Sequence, residues 1–589
     1  MAVQHPNRQR VVAPRGAGQA ILSLQSGLAA SATMRRRKRF RRLYPLLWRQ
    51  EWLEQALKAV LDNKGSETPG IDGKRGSALR DPAIHARFIV ELQRELKRCG
   101  QKKYKPSPVL RAYIPKASGD VRPIGIPTLK DRVVQAALKM ILEPIFEADF
   151  LPNSNGFRLE RSTLECVLPS YRYGDRGKGY DWVIEGDIKG CFDNINHRIL
   201  MKTIRRRIAD RRILRLIQSF LKAPVLEHGH LARTTKGTPQ GGVLSPLLAN
   251  IYLDKLDQFW LENWGKQTKY QRSCKRKQGE ASCVLFRYAD DFILLAKGKK
   301  DGVERIKRSI TIYFKECLRL ELSKEKTRIV PLEEGFKFLG FQIKRVRLGR
   351  FSSVRIRPTQ RNVARLCAKL RNMLGHRAIA DQPVMKILAL NRVLRGWANY
   401  YRYVNAYQQY RNMDDLTDRL FRDWYLKRTG KHLSGRAKII LEGVTIHGKT
   451  FQAELFGMTS RPSEAISGNP RNLLFWKYRY IKNPYLKGLE TCIPDEDTPF
   501  VDAREIHPIA QEYDDIYQTN RLLVFVRDGY CCTTPDCNER VNLVAHHIEL
   551  VPKNMNFDPK WVHRVENLVT KCTTCHNKIH RRNRQKQKK

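Results

Sequence analysis

The sequence predicts a multidomain α+β protein, and three observations carry that expectation. A chain of 589 residues is longer than one hydrophobic core organises, so several domains are expected. Two runs, Val183-Ile184-Glu185-Gly186-Asp187-Ile188 and Phe286-Arg287-Tyr288-Ala289-Asp290-Asp291-Phe292-Ile293-Leu294-Leu295, read as strands with acids at their ends, and long stretches of helical apolar spacing surround them. Five of the 13 cysteines crowd into the C-terminal segment together with paired histidines, the mark of a small module held by metal more than by its own core.

Composition narrows the partners. Lys and Arg total 111 against 58 Asp and Glu, a formal net charge of +53. Such a chain repels itself unless a polyanion neutralises it, and the excess is spread along the whole length, so nucleic acid is the expected partner. No apolar run reaches the roughly 18 residues of a spanning helix, and no membrane association is expected. Cys99, Cys166, Cys191, Cys274, Cys283, Cys317, Cys367 and Cys492 lack ligand-like spacing and read as reduced thiols of a reducing compartment. The first acid is Glu51, and the chain before it is rich in Arg, Ser and Ala. Residues 1–42 read either as an organelle targeting peptide or, preferred here, as a disordered basic arm for RNA built around Met34-Arg35-Arg36-Arg37-Lys38-Arg39-Phe40-Arg41-Arg42.

Helical spacing runs from about Leu43 to Asn63, and 65–76, with Thr68-Pro69-Gly70-Ile71-Asp72-Gly73, reads as a loop. Tyr113-Ile114-Pro115-Lys116 and Val121-Arg122-Pro123-Ile124-Gly125-Ile126-Pro127 form a predicted hairpin carrying cations, turned at Ala117-Ser118-Gly119-Asp120. Lys130-Asp131-Arg132 opens an apolar helix reaching Phe150, and Asn155-Gly156-Phe157-Arg158 follows it. Val303, Ile306, Ile310, Phe314 and Cys317 recur at helical spacing and suit a helix covering the back of a sheet. Strand, helix and strand with antiparallel hairpins predict a split βαβ arrangement. Leu322-Ser323-Lys324-Glu325-Lys326-Thr327 and Phe338-Leu339-Gly340-Phe341 are expected to complete it. Beyond Pro358 the positions Val363, Leu366, Leu370, Met373, Ile387, Leu390, Leu394 and Trp397 are helical again.

The acids carry the chemistry. Asp187 at a strand end and Asp290 and Asp291 at a hairpin tip allow three carboxylates to converge. Polymerisation by two Mg²⁺ ions about 3.5–4 Å apart needs that arrangement, one ion activating a 3′-hydroxyl and the other clamping a triphosphate. Asp187 and Asp290 are the expected bridging ligands, and Asp291 is an auxiliary acid. Asp187-Ile188-Lys189-Gly190-Cys191-Phe192-Asp193-Asn194-Ile195, Thr238-Pro239-Gln240-Gly241-Gly242-Val243-Leu244-Ser245-Pro246 and Phe338-Leu339-Gly340-Phe341 fall in the order that reverse transcriptase motifs take. From about residue 50 to its end the chain resembles the group II intron-encoded proteins, reverse transcriptases and maturases with a C-terminal HNH endonuclease domain.

That resemblance implies a right-hand polymerase, with fingers, a palm carrying the split βαβ sheet and a helical thumb, plus a small zinc-stapled ββα-metal HNH module. The implied domains are the arm (1–42), fingers and palm (43–345), thumb and maturase domain (346–430), a basic DNA-binding region (431–515) and the HNH domain (516–589). By family position Lys116 and Arg122 close over the incoming triphosphate, while Leu339 and Gly340 hold the primer end. Phe192, five residues after Asp187, matches the aromatic under the sugar, where a ring clashes with a 2′-hydroxyl and selects dNTPs. Gln240 lies in a turn whose glycines allow close backbone approach, within reach of the nucleotide 3′-hydroxyl, and Tyr288 is expected against the primer terminus. Gly396-Trp397-Ala398-Asn399-Tyr400-Tyr401 resembles the maturase signature. Trp397 is expected in the thumb core, and Arg392, Arg395 and Arg402 on intron RNA. One departure stands out. Many relatives read Gly-Phe-Arg-Pro-Gly-Arg-Ser where this chain has Gly156-Phe157-Arg158-Leu159-Glu160-Arg161-Ser162, which implies altered template contacts and intact chemistry.

Cys532 and Cys537, with Cys572 and Cys575, make a four-thiolate set of the kind that holds structural Zn²⁺, with Cys531 an alternative to Cys532. By its order of residues the segment resembles the HNH nucleases. On that resemblance His546 binds a catalytic divalent cation, His547 is the general base, Asn567 orients it, and His576 and His580 complete the metal contacts. A neutral imidazole can take a proton from water near pH 7. A zinc knuckle that only binds DNA is the alternative.

The expected function is therefore that of a retroelement enzyme that helps its intron RNA splice, cuts double-stranded target DNA and copies the RNA from the new 3′-end with dNTPs. An RNA-binding maturase with vestigial polymerase and nuclease is the alternative, and a retron or diversity-generating reverse transcriptase a third reading. The expected compartment is a bacterial cytoplasm or nucleoid, or else an organelle matrix. The oligomeric state, monomer or homodimer, is left open.

Overall fold

Trp182–Asp187, Ser282–Tyr288, Asp291–Lys297 and Arg328–Pro331 make one sheet, in the order 282–288, 291–297, 182–187, 328–331, with every neighbouring pair antiparallel. It follows that 182–187 and 282–288 run parallel with a strand inserted between them, and so do 291–297 and 328–331. These are two interlocked split βαβ units, the arrangement expected for the palm. The helix Lys300–Cys317 is the crossover of the second. Its buried stripe is Val303, Ile306, Ile310 and Phe314. Cys317 was expected to continue it and is exposed, because the helix ends there.

In this computed structural model the chain divides into two compact units, 1–500 and 501–589. The structure describes residues 17–98, 104–115, 121–159, 161–174, 179–348, 351–375, 383–430, 433, 440–446 and 449–454 of the first, and 528, 532–535, 537, 543–547, 568–572 and 575 of the second. Among the described residues no helix is long and apolar enough to cross a membrane.

The cationic hairpin is present as Val109–Pro115 and Val121–Ile126, paired antiparallel, and it gains two strands that the sequence reading lacked. Val225–Glu227 pairs in parallel with 109–115, and His230–Ala232 closes the edge. Lys116 and the expected turn 117–120 lie outside the described residues. Behind the sheet, helices Gln50–Leu61, Pro82–Lys97 and Leu129–Glu147 pack together. Asp81 caps the second by accepting from Ala83 N and Ile84 N, with Pro82 at its first position, and Thr128 caps the third. Arg132 donates to Pro127 O, Gly65 O and Thr68 O at 2.7–2.9 Å, tying down the 65–76 segment. That segment is more ordered than a loop, with 3₁₀ turns at Lys64–Glu67 and Gly76–Arg80.

The N-terminal arm is corrected. Residues from 17 onward are not a disordered arm, since Ala17–Met34 is a helix that packs on Leu129–Glu147. Ile21 and Ala32 are buried, and Gln25 Nε2 donates to Met140 O at 3.0 Å. Ile21, Leu24 and Leu28 form an apolar stripe that the Arg, Ser and Ala composition obscured. The basic run after it is also anchored. Buried Arg207 donates to Ala32 O and Arg35 O, and Phe40 bridges Ile208.

The helices in the stretch expected to form a thumb are Gln360–Met373, Pro383–Tyr401 and Tyr407–Thr429. Before them stands a three-stranded antiparallel sheet of Phe336–Phe338, Phe341–Leu348 and Phe351–Pro358. The boundary expected at 345 therefore falls inside a strand, and the Phe338 to Phe341 run, expected to complete the palm sheet, is a hairpin turn of this separate sheet. In the region expected to bind DNA, Ile440–Ile446 and Lys449–Glu454 pair as a hairpin. In the second unit Leu543–His547 pairs antiparallel with Leu568–Cys572.

Gly186 stands opposite Phe292 in the register, and a Cβ built on it would lie 2.1 Å from that ring, which itself stacks on Phe314. Gly186→Ala is expected to destabilise the first unit by about 1–3 kcal/mol through overpacking, as read by urea unfolding. Adding Phe292→Leu should recover part of the loss, and an unchanged midpoint in the single variant would count against this packing.

Candidate functional site

The two acid motifs meet because of strand register. Asp187 lies directly opposite Asp291, and Tyr288 also pairs with Asp291 across the hairpin, so Asp290 occupies the turn between the strands. Directly opposed residues of an antiparallel pair share a face, with Cβ atoms about 4.5–5.5 Å apart. Burial raises the Asp290 carboxyl first, with Asp187 adding to the rise and Arg122 opposing it. Asp291 is pushed up to about 7, by desolvation and then by Asp290 and Asp187, against Lys326 and Arg122. Three crowded acids, of which Asp290 and Asp291 have raised pKa values, form a site that favours a cation. Their oxygens suit a hard ion such as Mg²⁺. Among the described residues the four cysteine thiols are the one set of three or more His, Cys, Asp or Glu ligands lying mutually within 4.8 Å, so the three carboxylates neighbour one another without closing on a single point.

Arg122 faces this site from the four-stranded sheet, at the register position opposite Ile114. Lys326, which the sequence reading gave no role, places Nζ 3.3 Å from Asp187 Oδ2. Its neighbour Ser323 donates its backbone N–H to Asp187 O at 2.8 Å, so the 322–327 segment borders the first acid.

Phe192 is buried in the helical turn Cys191–Asn194, and its carbonyl accepts from Thr238 N at 2.8 Å. This bond joins two of the motifs. Gln240 is half-buried, and its carbonyl accepts from Gly125 N at 2.8 Å, which joins the second motif to the cationic hairpin. Thr238 Oγ1 donates to Ser245 Oγ, which donates to Pro239 O, and these bonds close the turn.

The chief residue that sequence reasoning missed is Arg287. It is fully buried beside an equally buried Asp257. Its Nε lies 2.9 and 3.1 Å from the two Asp257 oxygens, its Nη1 donates to Asn250 Oδ1 and Ala289 O, and its Nη2 reaches Ser154 Oγ. Burial works against its charge, but the Asp257 carboxylate outweighs burial and keeps the pKa raised. Ala289 has φ +57°, a left-handed conformation rare outside glycine, and its carbonyl is held by Arg287. Asn250 also donates to Gly156 O at 2.7 Å, so the Gly156-Phe157-Arg158 motif is braced against the acid turn. Glu160, the departure in that motif, lies outside the described residues. An arginine inside a strand of otherwise apolar and aromatic residues was the available signal.

Tyr288 is half-buried, and its hydroxyl is raised to about 12 by burial and then by Tyr400. Leu339 and Gly340 form the turn between Phe336–Phe338 and Phe341–Leu348, with φ of +49° and +83°. Trp397 packs on Tyr401 and Tyr410, as a thumb-core residue should. Arg392, Arg395 and Arg402 are exposed.

In the second unit Cys532, Cys537, Cys572 and Cys575 bring their thiols together, so Cys532 joins the cluster, and Cys531 lies outside the described residues. Burial raises the Cys532 thiol, but hydrogen bonds from Thr534, from the Cys572 and Thr534 backbones and from Cys537 together lower it to about 6. Four such thiols fit a structural Zn²⁺. His546 and His547 are strand residues, opposite Val569 and Leu568. Asn567, His576 and His580 lie outside the described residues.

Residues 114–343 match the family described as reverse transcriptase (RNA-dependent DNA polymerase), and 363–440 match the group II intron maturase-specific domain. The chain is 38% identical to Protein YkfC of Escherichia coli, over 57% of this chain and 91% of that protein. It is 29% identical to the group II intron-encoded protein LtrA of Lactococcus lactis, over 92% of this chain and 96% of that one. A putative COX1/OXI3 intron 2 protein of Saccharomyces cerevisiae is 28% identical over 48% of this chain and 36% of its own length.

The raised Asp291 carboxyl has a pH consequence. Its pKa of about 7 exceeds the unfolded value, so the folded protein holds an extra proton between roughly pH 4 and 7 and loses stability as pH rises through that window. A divalent cation bound beside this auxiliary acid would favour loss of that proton. Mg²⁺ affinity, measured by calorimetry, is expected to tighten from pH 6 to 7.5 and then level off, with Asp291→Asn flattening the dependence. An affinity independent of pH in the wild type would contradict the assignment.

Proposed function

The chain belongs to the family of group II intron-encoded reverse transcriptases and maturases, and from that premise we propose how its residues divide the work. The protein is an RNA-directed DNA polymerase and maturase that assists splicing and mobility of its intron, with intron RNA and dNTPs as partners. Polymerisation belongs to Asp187, Asp290 and Asp291, and the observation that supports this is their convergence at one end of a rigid sheet. Asp187 and Asp290 would hold the two Mg²⁺ ions, which would supply activation of the primer 3′-hydroxyl and neutralisation of the triphosphate charge. Arg122, with Lys116, holds the triphosphate. Phe192 excludes a 2′-hydroxyl, and Gln240 contacts the nucleotide near its 3′-hydroxyl. Tyr288, Leu339 and Gly340 hold the primer end. Positioning and electrostatics of this kind account for most catalysis of phosphoryl transfer.

We read the C-terminal unit as an HNH endonuclease acting on double-stranded target DNA, after which the cut 3′-end primes cDNA synthesis. Cys532, Cys537, Cys572 and Cys575 hold a structural Zn²⁺. His546, His576 and His580 hold the catalytic cation, His547 is the base and Asn567 orients it. Supporting this are the thiol cluster and the pairing of the His546-His547 strand with the strand that begins one residue after Asn567. The compartment is a bacterial cytoplasm and nucleoid, or an organelle matrix.

The test is primer extension on an RNA template with dNTPs and Mg²⁺, run beside cleavage of target DNA. Asp290→Ala should abolish extension, a loss beyond 10³-fold, while leaving RNA binding and DNA cleavage in place, and His547→Ala should remove only DNA cleavage. Undiminished extension by Asp290→Ala would refute the metal assignment, and no extension by a folded, RNA-binding wild type would leave the maturase role alone.

A further inference from the structure

The turn at Leu339 and Gly340 gains support from outside itself. Both residues have positive φ, as a two-residue hairpin turn requires, but Leu339 lacks the freedom of glycine, so bonds from elsewhere help to hold the conformation. The hairpin itself is short on one side, because Phe336–Phe338 contributes only three residues to the pairing. The support comes from the thumb. Tyr400 Oη donates to Leu339 O at 2.8 Å, and Tyr401 Oη donates to Gly340 O at 3.1 Å. Consecutive carbonyls are thus taken by consecutive tyrosines at the end of one helix. Gly340 O also accepts from Thr359 N at 3.0 Å, and Asn362 Nδ2 donates to Tyr401 Oη at 2.8 Å.

The rings lock the same joint. Phe341, buried directly after the turn, stacks on Tyr400 at 5.3 Å and meets Tyr401 edge-on at 5.1 Å. Burial raises both hydroxyls, Tyr401 to about 12, so each stays a neutral donor throughout the physiological range. Tyr400 also bonds to Thr163 and lies close enough to Tyr288 to raise its hydroxyl, so one side chain touches the turn and borders the strand that carries the acids.

We propose that Tyr400 and Tyr401 are positioning residues for the primer 3′-end, acting through the Leu339 and Gly340 carbonyls, so that the last turn of the thumb helix sets where the primer lies relative to the acids. The proposal rests on the reading of that turn as the primer contact. It assigns the two tyrosines of the maturase signature to DNA synthesis, not to direct contact with RNA. The same helix, Pro383–Tyr401, buries Leu390, Leu394, Ala398 and Tyr401 on one side and exposes Arg392 and Arg395 on the other. Intron RNA bound to the outer side and the primer turn on the inner side therefore share one rigid element.

Tyr400→Phe, Tyr401→Phe and the double variant remove the hydroxyls and keep the rings. One hydrogen bond of about 0.5–1.5 kcal/mol corresponds to a change of roughly 2- to 12-fold. Each single variant should raise KM for primer–template by about 3- to 10-fold, and the double by more, with KM for dNTP and intron RNA affinity unchanged and the melting temperature lowered by no more than a few degrees. Leu339→Ala reports on the turn itself. If Leu339→Ala raises primer KM and the phenylalanine variants do not, the turn holds the primer without the tyrosines and the proposal fails alone. If Leu339→Ala also leaves primer KM unchanged, the reading of the turn fails and the proposal with it. Weakened intron RNA binding by the phenylalanine variants with primer KM unchanged would return the tyrosines to an RNA-contact role.

Discussion

The active end of this protein depends on one buried ion pair. Arg287 and Asp257 are both inaccessible to solvent, and every polar atom of the guanidinium has a partner. Removing one member of such a pair strands a charge in a low dielectric, typically at a cost of about 3–5 kcal/mol, whereas the complete pair adds little net stability. What it contributes is definition. The guanidinium reaches Ala289, Asn250 and Ser154 at once, and so fixes a left-handed turn whose next residue is Asp290, the first of two adjacent acids. Asp290 and Asp291 repel each other and Asp187, and a turn without that brace would relax them apart.

The same logic extends outward. Each functional segment is held by an element distant in sequence: the acid turn by Asp257 and Asn250 of helix Ser245–Trp260, the Phe192 turn by Thr238, the Gln240 turn by Gly125, and the Leu339–Gly340 turn by Tyr400 and Tyr401. The palm, fingers sheet and thumb are consequently coupled through hydrogen bonds to main-chain carbonyls. Such bonds are indifferent to the side chains at the turns, which frees those side chains for substrate. The net charge of +53 attracts nucleic acid generally, while particular acids serve as helix caps at Asp81 and Asp210, as the buried partner at Asp257, and as the proposed cation site.

Much of this was legible in the sequence, for identifiable reasons. Continuous apolar runs with acids at their ends announced the palm, since both are local patterns, and Trp397 reads as core from helical spacing alone. The brace was not legible, because Asp257 lies 30 residues from Arg287 and nothing in the intervening chain announces their meeting. The helix Ala17–Met34 was hidden by composition, as its apolar stripe is thin and depends on the helix Leu129–Glu147 to bury it. The strands 225–227 and 230–232 are too short to carry a period, and they exist because the cationic hairpin offers an edge to pair with. Tyr400 and Tyr401 were legible as a motif, but their hydroxyls point to carbonyls 61 residues away, which only the folded chain reveals.

The most direct measurement is single-turnover dNTP incorporation by Arg287→Lys, with folding and primer–template affinity measured alongside. Lysine keeps the charge opposite Asp257 but cannot reach Ala289 O and Ser154 together. The account predicts a chemical step slower by about 10²-fold, the typical effect of misplacing a catalytic group by about 1 Å, with primer–template affinity within twofold of wild type. A folded Arg287→Lys protein that incorporates dNTP at the wild-type rate would contradict it.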